Sequence, residues 1–571
     1  MMNNVKVCYN GVIDEAARFV EKLQLLDRSL WDKVVAVFDY GKYTKGWHGE
    51  YWGKLMRGGC IVYKYTKNEE LYKTLTDAVI SILKCQDDKG RISTYDINYE
   101  LYDWDVWCRK YVMYGLLYYM EICRDGAFKE KILSSLTMHA DYIIDRIGSE
   151  QGKKEITKTS GYWLGANSAS ILRPYVLLYK LTSEKRYLDF AEYIISTGGI
   201  DGGNLIDLAY EDKLAPYQYP VAKAYETTSV FEGVFEYATM TDNKRLIEAC
   251  IKYGNKILET DFTIIGATGC YDELFDNSTV KQVAYTRSHM QETCVTVTLM
   301  EYFCRLFEYT GDVRYADAIE KSFYNAFLGA INRKYGENDG LHFDSYSPIL
   351  NNRRGLRVGG LMTLLDGSYY GCCAAIGAAG FGAVTSMSAR YEKSNLKISF
   401  YEKGTIKFGR YNISVNTEYP FDGKITLILN GEGEEFSLSL RIPEWCKKYS
   451  VTLNEDLISG SLDMGFLTLE KTVKSGDKIV LDLDMPFVSH ASEFFDPEVK
   501  TYFAITKGPI VFATEEYENH TFDMNKIGEY GFEDITSHVM VSDINDNLIK
   551  LYNYASVGID WSKKMTVWLK R

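Results

Sequence analysis

The chain has 571 residues, 46% of them hydrophobic, with 46 tyrosines, 26 phenylalanines and 9 tryptophans. That is core material for two or more domains, and it excludes a disordered or low-complexity protein. A formal net charge of −13 without clustered Lys or Arg excludes a nucleic-acid partner and favours a small neutral ligand.

At the N-terminus, Met1 to Phe19 scatters charges where a secretory leader needs an apolar block. No apolar run reaches the roughly 18 to 20 residues of a membrane span. The expected location is therefore cytoplasmic, with no membrane partner and a homo-oligomer left open. Over the first two-thirds of the chain a polar turn followed by an amphipathic helix recurs. Copies begin near Thr66, Asp125, Thr182, Thr241 and Thr310, 57 to 69 residues apart, each opening on helix-capping residues and preceded by another helical, aromatic-rich segment. Paired helices at this spacing are helical hairpins, which bury their apolar faces either as an open solenoid or as a closed ring. Five copies plus an opening pair near Asp14 to Gly59 predict a closed (α/α)6 barrel over residues 1–394, with inner helices converging on a sugar-sized cavity.

Beyond Asn395 the pattern changes to period-two alternation, as in LKISFY, KITLILNG and KIVLDLDM, with turns at Asn430-Gly431 and Ser475-Gly476. This predicts a β-sandwich over 395–496 and a small additional β unit over 497–571. No cluster of titratable residues marks it as more than a packing region.

Two clusters carry the chemistry: Gln291-Glu292-Thr293-Cys294, and the adjacent Cys372-Cys373 between DGSYYG and AAIGAAGFGA. One carboxylate and three thiols suit a soft tetrahedral ion such as Zn2+. Buried cysteines acting as simple hydrophobes are the bland alternative. A vicinal disulfide is a third reading, opposed by the missing leader. Glu292 and Cys294 lie two positions apart and would diverge on a regular helix, so they are expected to flank the start of the helix VTVTLMEYFCRLFEY. The Cys372-Cys373 pair is expected on a turn.

These phrases, in order with LRIPEW (Leu440 to Trp445) and KGPIVFA (Lys507 to Ala513), resemble glycoside hydrolase family 127, the zinc-dependent β-L-arabinofuranosidases, over most of the chain. The resemblance implies that Glu292, Cys294, Cys372 and Cys373 hold one zinc and that Cys372 attacks the anomeric carbon. It implies Glu273, in GCYDELF, as the acid/base, with Asp272 the runner-up. A closed four-ligand site is ordinarily structural, so a stapled barrel stays open as a reading.

The chain departs from the family where histidines surround the sugar: two of those positions align with Tyr111 and Tyr225, and a third falls near Ala166-Asn167. Candidate sugar contacts are His48, Glu50, Trp52, Arg109, Tyr111, Tyr225, Glu226 and Tyr346, against packing or internal ion pairing for each. The implied function is a retaining exo-glycosidase releasing a terminal furanose, β-L-arabinofuranose first, from a small oligosaccharide. An acidic or branched furanoside is the variant reading, with Arg109 as carboxylate partner. A sugar-binding barrel with a structural zinc is the alternative from another class. Sugar epimerases and unsaturated-uronyl hydrolases need histidine or aspartate pairs and no thiol, which argues against both.

Overall fold

The structure is a computed structural model and describes residues 5–284, 290–334, 341–355, 359–533 and 535–571. The five sequence repeats are outer helices: Glu69–Lys84, Gly126–Ile144, Lys185–Ser196, Lys244–Thr260 and Val313–Ser322. Asn68, Asp125, Asn243 and Asp312 cap four of them, each side chain accepting a bond from a first-turn backbone N–H. The segment before each repeat, where it is helical, is an inner helix: Glu50–Thr66, Asp105–Ile122, Leu172–Thr182, Ala224–Thr241 and Thr293–Thr310. Nearly every residue of Asp105–Ile122 is buried, as a helix enclosed on all sides requires.

The sixth inner element is Cys372–Ile376, continued through Phe381–Met387, which packs against both Thr293–Thr310 and Glu50–Thr66 and so closes the ring. The opening helices Val12–Val20 and Arg28–Tyr40 therefore lie outside, and only Glu50–Thr66 from the predicted opening pair turns inward. Two glycines set the closure. A Cβ on Gly58 would lie 2.7 Å from Ala378 Cβ, and one on Gly53 would lie 1.8 Å from the Tyr111 carbonyl oxygen. Only bare backbone lets the Glu50–Thr66 helix approach both neighbours this closely.

The β-region contains a seven-stranded and a five-stranded sheet. Tyr411–Thr417 shows the predicted alternation, its odd positions buried against the facing sheet. Two strands come from the barrel side: Lys6–Tyr9 pairs antiparallel with Gly404–Lys407, and Ala389–Glu392 pairs with Asn395–Ile398. Buried Arg441 of the sandwich joins the regions by pairing with Asp317 at 2.5 Å and with Glu320 of the last outer helix. A third, seven-stranded sheet spans Phe487–Lys570. Its final stretch grips the loop 341–355: Tyr554 Oη donates to the Pro348 carbonyl, Trp561 Nε1 to Asp344 Oδ1, and Val567 N to the Ile349 carbonyl. Among the described residues no helix is long and apolar enough to cross a membrane.

Candidate active site

The clasped loop 341–355 is what positions the first cluster. Thr293 N donates to the Ser345 carbonyl at 3.0 Å and Thr293 Oγ1 to the Asp344 carbonyl at 2.6 Å, while Glu292 and Tyr346 form an antiparallel bridge. Glu292 is consequently extended and stands as N-cap of Thr293–Thr310, with Cys294 in the first turn. The two flank a helix start, so their side chains converge where a continuous helix would separate them. Cys372 and Cys373 do not sit on a turn: they open the short helix Cys372–Ile376, directly after the hairpin Leu361–Thr363/Tyr369–Gly371. Gly360 sits against the thiol, with φ +64° and space such that a Cβ would fall 2.0 Å from Cys372 Sγ.

One ligand atom from each of Glu292, Cys294, Cys372 and Cys373 lies within 4.8 Å of all the others. Cys372 Sγ is 3.8 Å from Cys373 Sγ, Cys373 Sγ is 3.4 Å from Cys294 Sγ, and Glu292 Oε1 is 3.7 and 3.6 Å from Cys372 and Cys373. A tetrahedral ion with metal–sulfur bonds of about 2.3 Å sets sulfur–sulfur edges near 3.8 Å, so the spacing fits a metal ion. Glu292 Oε2 is buried without a hydrogen-bond partner among the described residues, a costly arrangement unless a cation or a ligand satisfies it. The 12 cysteines are all free thiols, so the adjacent pair is no disulfide.

The three thiols are inequivalent. Hydrogen bonds from Cys294 and Cys373 hold the Cys372 thiol well below the ordinary thiol range, with Lys54 and Lys223 acting in the same direction against burial. Burial pushes Cys294 and Cys373 up. Cys372 also retains partial exposure while the other two are buried. It is thus the thiol from which a nucleophile is most readily drawn.

Behind the cluster lies a charge the sequence reading missed. Lys54 is fully buried, with Nζ 3.1 Å from Glu50 and 3.9 Å from Cys294 Sγ, beneath the rings of Tyr111 and Tyr225 at 5.1 and 4.8 Å. The hydroxyls of Tyr111 and Tyr225 bond each other, and Trp107 Nε1 donates to Glu50. Burial raises the Glu50 carboxyl to about 7 against the pull of Lys54. The signal in the sequence was Glu50 and Lys54 at i,i+4 in a segment rich in aromatic and glycine residues, a pair that reads equally well as a solvated one.

Glu273 lies on the opposite side. It and Asp272 occupy left-handed backbone at φ +66° and +47°, rare for residues with a side chain and of the kind that concentrates at functional sites. Its backbone is pinned to the start of Ala224–Thr241 through Ala224 N, and its carboxylate accepts from Tyr346 Oη and Lys223 Nζ, each at 2.5 Å. Lys223 is buried, yet Glu226, Glu273 and Glu292 overcome that burial and hold its ammonium charged well above the ordinary range. Glu226 Oε2 lies 3.6 Å from Lys223 Nζ without a hydrogen bond, and, from the preceding inner helix region, Asn167 Oδ1 and Ser168 Oγ are buried without hydrogen-bond partners among the described residues. Buried polar atoms without hydrogen-bond partners are what a polyhydroxylated ligand would complete.

The other predicted contacts are distributed differently. His48 stacks on Tyr43 and bonds the Thr363 carbonyl at 3.2 Å, bracing the hairpin ahead of Cys372; burial lowers its imidazole to about 4. Trp52 is an inter-helix wedge, its ring filling the space above Gly115. Arg109 faces the outer layer, paired with Asp105 at 3.0 Å and Glu100 at 2.7 Å beside Tyr142. Its neighbour Lys110 turns inward instead, with Nζ 3.3 Å from the Trp107 ring centre and 2.9 Å from Ser170 Oγ.

Comparison with known proteins identifies the family of the fold that carries these residues. Residues 6–351 match the β-L-arabinofuranosidase GH127 catalytic domain and residues 391–485 the GH127 middle domain. A non-reducing end β-L-arabinofuranosidase of Bifidobacterium longum subsp. longum is 23% identical over 535 residues, covering 82% of this chain and 75% of that protein. The crystal structure of a GH127 β-L-arabinofuranosidase from Geobacillus stearothermophilus T6 superposes with a TM-score of 0.76 at 17% identity, over 99% of this chain and 100% of that one. A GH127 β-arabinofuranosidase gives 0.72 at 18% identity, over 99% and 96%. The catalytic-domain match spans more than half of the chain, and the protein belongs to glycoside hydrolase family 127.

Proposed function

We propose that this glycoside hydrolase is a zinc-dependent, retaining exo-glycosidase that releases terminal β-L-arabinofuranose, with Cys372 as nucleophile and Glu273 as acid/base. The observation that carries the reading is the convergence of Glu292, Cys294, Cys372 and Cys373 within 4.8 Å. When bound, zinc supplies the positive charge that keeps the thiols deprotonated at neutral pH. The Cys372 thiolate attacks the anomeric carbon; the Sγ–C1 bond forms as the C1–O bond breaks, and the Glu273 carboxyl gives its proton to the departing oxygen. The Glu273 carboxylate then takes a proton from water, whose oxygen displaces Sγ. Two inversions retain configuration. Tyr346 and Lys223 fix the orientation of Glu273 for both steps, and Glu226, Asn167 and Tyr225 are proposed to bind the sugar hydroxyls. Metal content by mass spectrometry, with hydrolysis of p-nitrophenyl β-L-arabinofuranoside followed by NMR of the first-formed anomer, tests this. About one zinc per chain and a retained product are expected; a metal-free active protein or an inverted product would overturn it.

A furanoside carrying a carboxylate is a second reading. Arg109 faces the outer layer in its pairs with Asp105 and Glu100, which leaves this reading without its carboxylate partner.

Lys54 is proposed as a support for the metal site, offsetting part of the charge of three thiolates and a carboxylate. Lys54→Met is expected to weaken zinc binding about 10- to 100-fold, the usual cost of losing a partner of a metal ligand. Competition against a chromophoric chelator reads this without turnover, and an unchanged affinity would remove Lys54 from the site.

A further inference from the structure

We propose that Trp47, Trp104 and Tyr162 form a platform for the leaving-group side of the substrate, stacking the neutral sugar residues beyond the scissile bond. This rests on the glycosidase reading above. The rings form an unbroken series from the buried ring beside Lys54 to solvent: Tyr225 to Trp107 at 5.1 Å, Trp107 to Trp104 at 5.7 Å, then Trp104 stacked on Tyr162 at 5.6 Å. Exposure rises along it, from 1% at Trp107 through half-buried Trp104 to 45% at Tyr162.

A branch ties the series to the nucleophile. Trp47 packs edge-on against Trp104 at 5.7 Å and donates Nε1 to the Gly360 carbonyl at 3.0 Å, the glycine that lies against Cys372 Sγ. On the acid/base side, Lys223, which holds Glu273, lies 5.7 Å from the Trp163 ring. Trp163 Nε1 is shielded and without a partner among the described residues. The series is thus tied through Trp47 to the glycine beside Cys372, and Trp163, next in sequence to Tyr162, lies by the lysine that holds Glu273.

Packing alone does not account for these rings. The loops that carry them hold Leu101, Asp103, Trp163 and Leu164 in left-handed backbone, at φ +55°, +57°, +50° and +48°. Four such residues cost stability that tertiary structure must supply. Here Asp103 Oδ1 supplies part of it, accepting from Gly46 N, Tyr95 Oη and Trp104 N at 2.8, 2.9 and 3.0 Å and so tying two rim loops together. The strain holds large rings partly in water, the arrangement of a surface that binds flat apolar sugar faces.

Calorimetric titration of the zinc-saturated Cys372→Ser protein, in which no residual activity is expected, with L-arabinose, an arabinofuranose disaccharide and a trisaccharide tests the platform without turnover. The trisaccharide is expected to bind more tightly than the monosaccharide. Adding Tyr162→Ala is expected to weaken the trisaccharide about three- to tenfold, while Tyr162→Phe keeps it. Unchanged trisaccharide affinity in Tyr162→Ala, or an equal loss for arabinose itself, would overturn the platform. Hydrolysis of methyl β-L-arabinofuranoside by the parent protein reads the glycosidase assignment separately, because that substrate has no leaving-group sugar.

Discussion

Cys372→Ser is expected to lower turnover by on the order of 10⁴-fold or more, the scale seen when a covalent nucleophile is removed. A serine hydroxyl is far less acidic than the thiol it replaces, and the hydrogen bonds from Cys294 and Cys373 that favour the Cys372 thiolate cannot ionise it at neutral pH. The substitution also takes one ligand from the cluster, so lost metal could imitate a lost nucleophile. Cys373→Ser separates the two effects. Cys373 is buried and donates within the cluster, whereas Cys372 is the partly exposed thiol beside Gly360. With both variants saturated with zinc, residual activity is expected in Cys373→Ser and none in Cys372→Ser. Covalent labelling by a mechanism-based furanoside, located by peptide mass mapping, is expected on Cys372 alone. Labelling on Cys373 would transfer the nucleophile's role to it, and no labelling with equal recovery of both variants by zinc would show that the pair only staples the barrel.

The helical repeats were legible in the sequence because four of the five outer helices carry their own start signal. Asn68, Asp125, Asn243 and Asp312 cap helices that begin at the following residue. Sandwich strands such as Tyr411–Thr417 were legible from alternation. The ring closure was not: Cys372–Met387 is short, glycine- and alanine-rich, and without a helical period, so it reads as a turn. The four cluster residues stood out by type as one carboxylate and three thiols, their spacing alone left a metal site and buried cysteines open, and the resemblance favoured the metal site. Arg109 and Lys110 show why the rest was hidden. Adjacent positions on a helix point about 100° apart, and nothing in the local sequence says which one faces the axis. The structure gives Arg109 to Asp105 and Glu100 in the outer layer and Lys110 to Ser170 and the Trp107 ring. Lys54 was missed for a related reason: a helical Glu-Lys pair at i,i+4 is ordinarily solvated, and only the surrounding rings show that this one is enclosed.

Glu273→Gln is expected to cost about 10²- to 10⁴-fold in kcat/KM on glycosides with a sugar or alkyl leaving group, the usual worth of general acid catalysis. The loss is expected to be much smaller for p-nitrophenyl β-L-arabinofuranoside, because p-nitrophenolate departs without a proton. The glutamine keeps the shape and the Tyr346 hydrogen bond but supplies no proton to the departing oxygen. In the second step the same group must take a proton from water. Azide needs no such help, and it is expected to restore turnover while giving an arabinofuranosyl azide of retained configuration. Asp272→Asn serves as the comparison. Both carboxylates lie on left-handed backbone, but the Lys223 and Tyr346 contacts, at 2.5 Å each, converge on Glu273. Azide rescue in Asp272→Asn and not in Glu273→Gln would transfer the acid/base role to Asp272, and rescue in neither would remove this loop from proton transfer altogether.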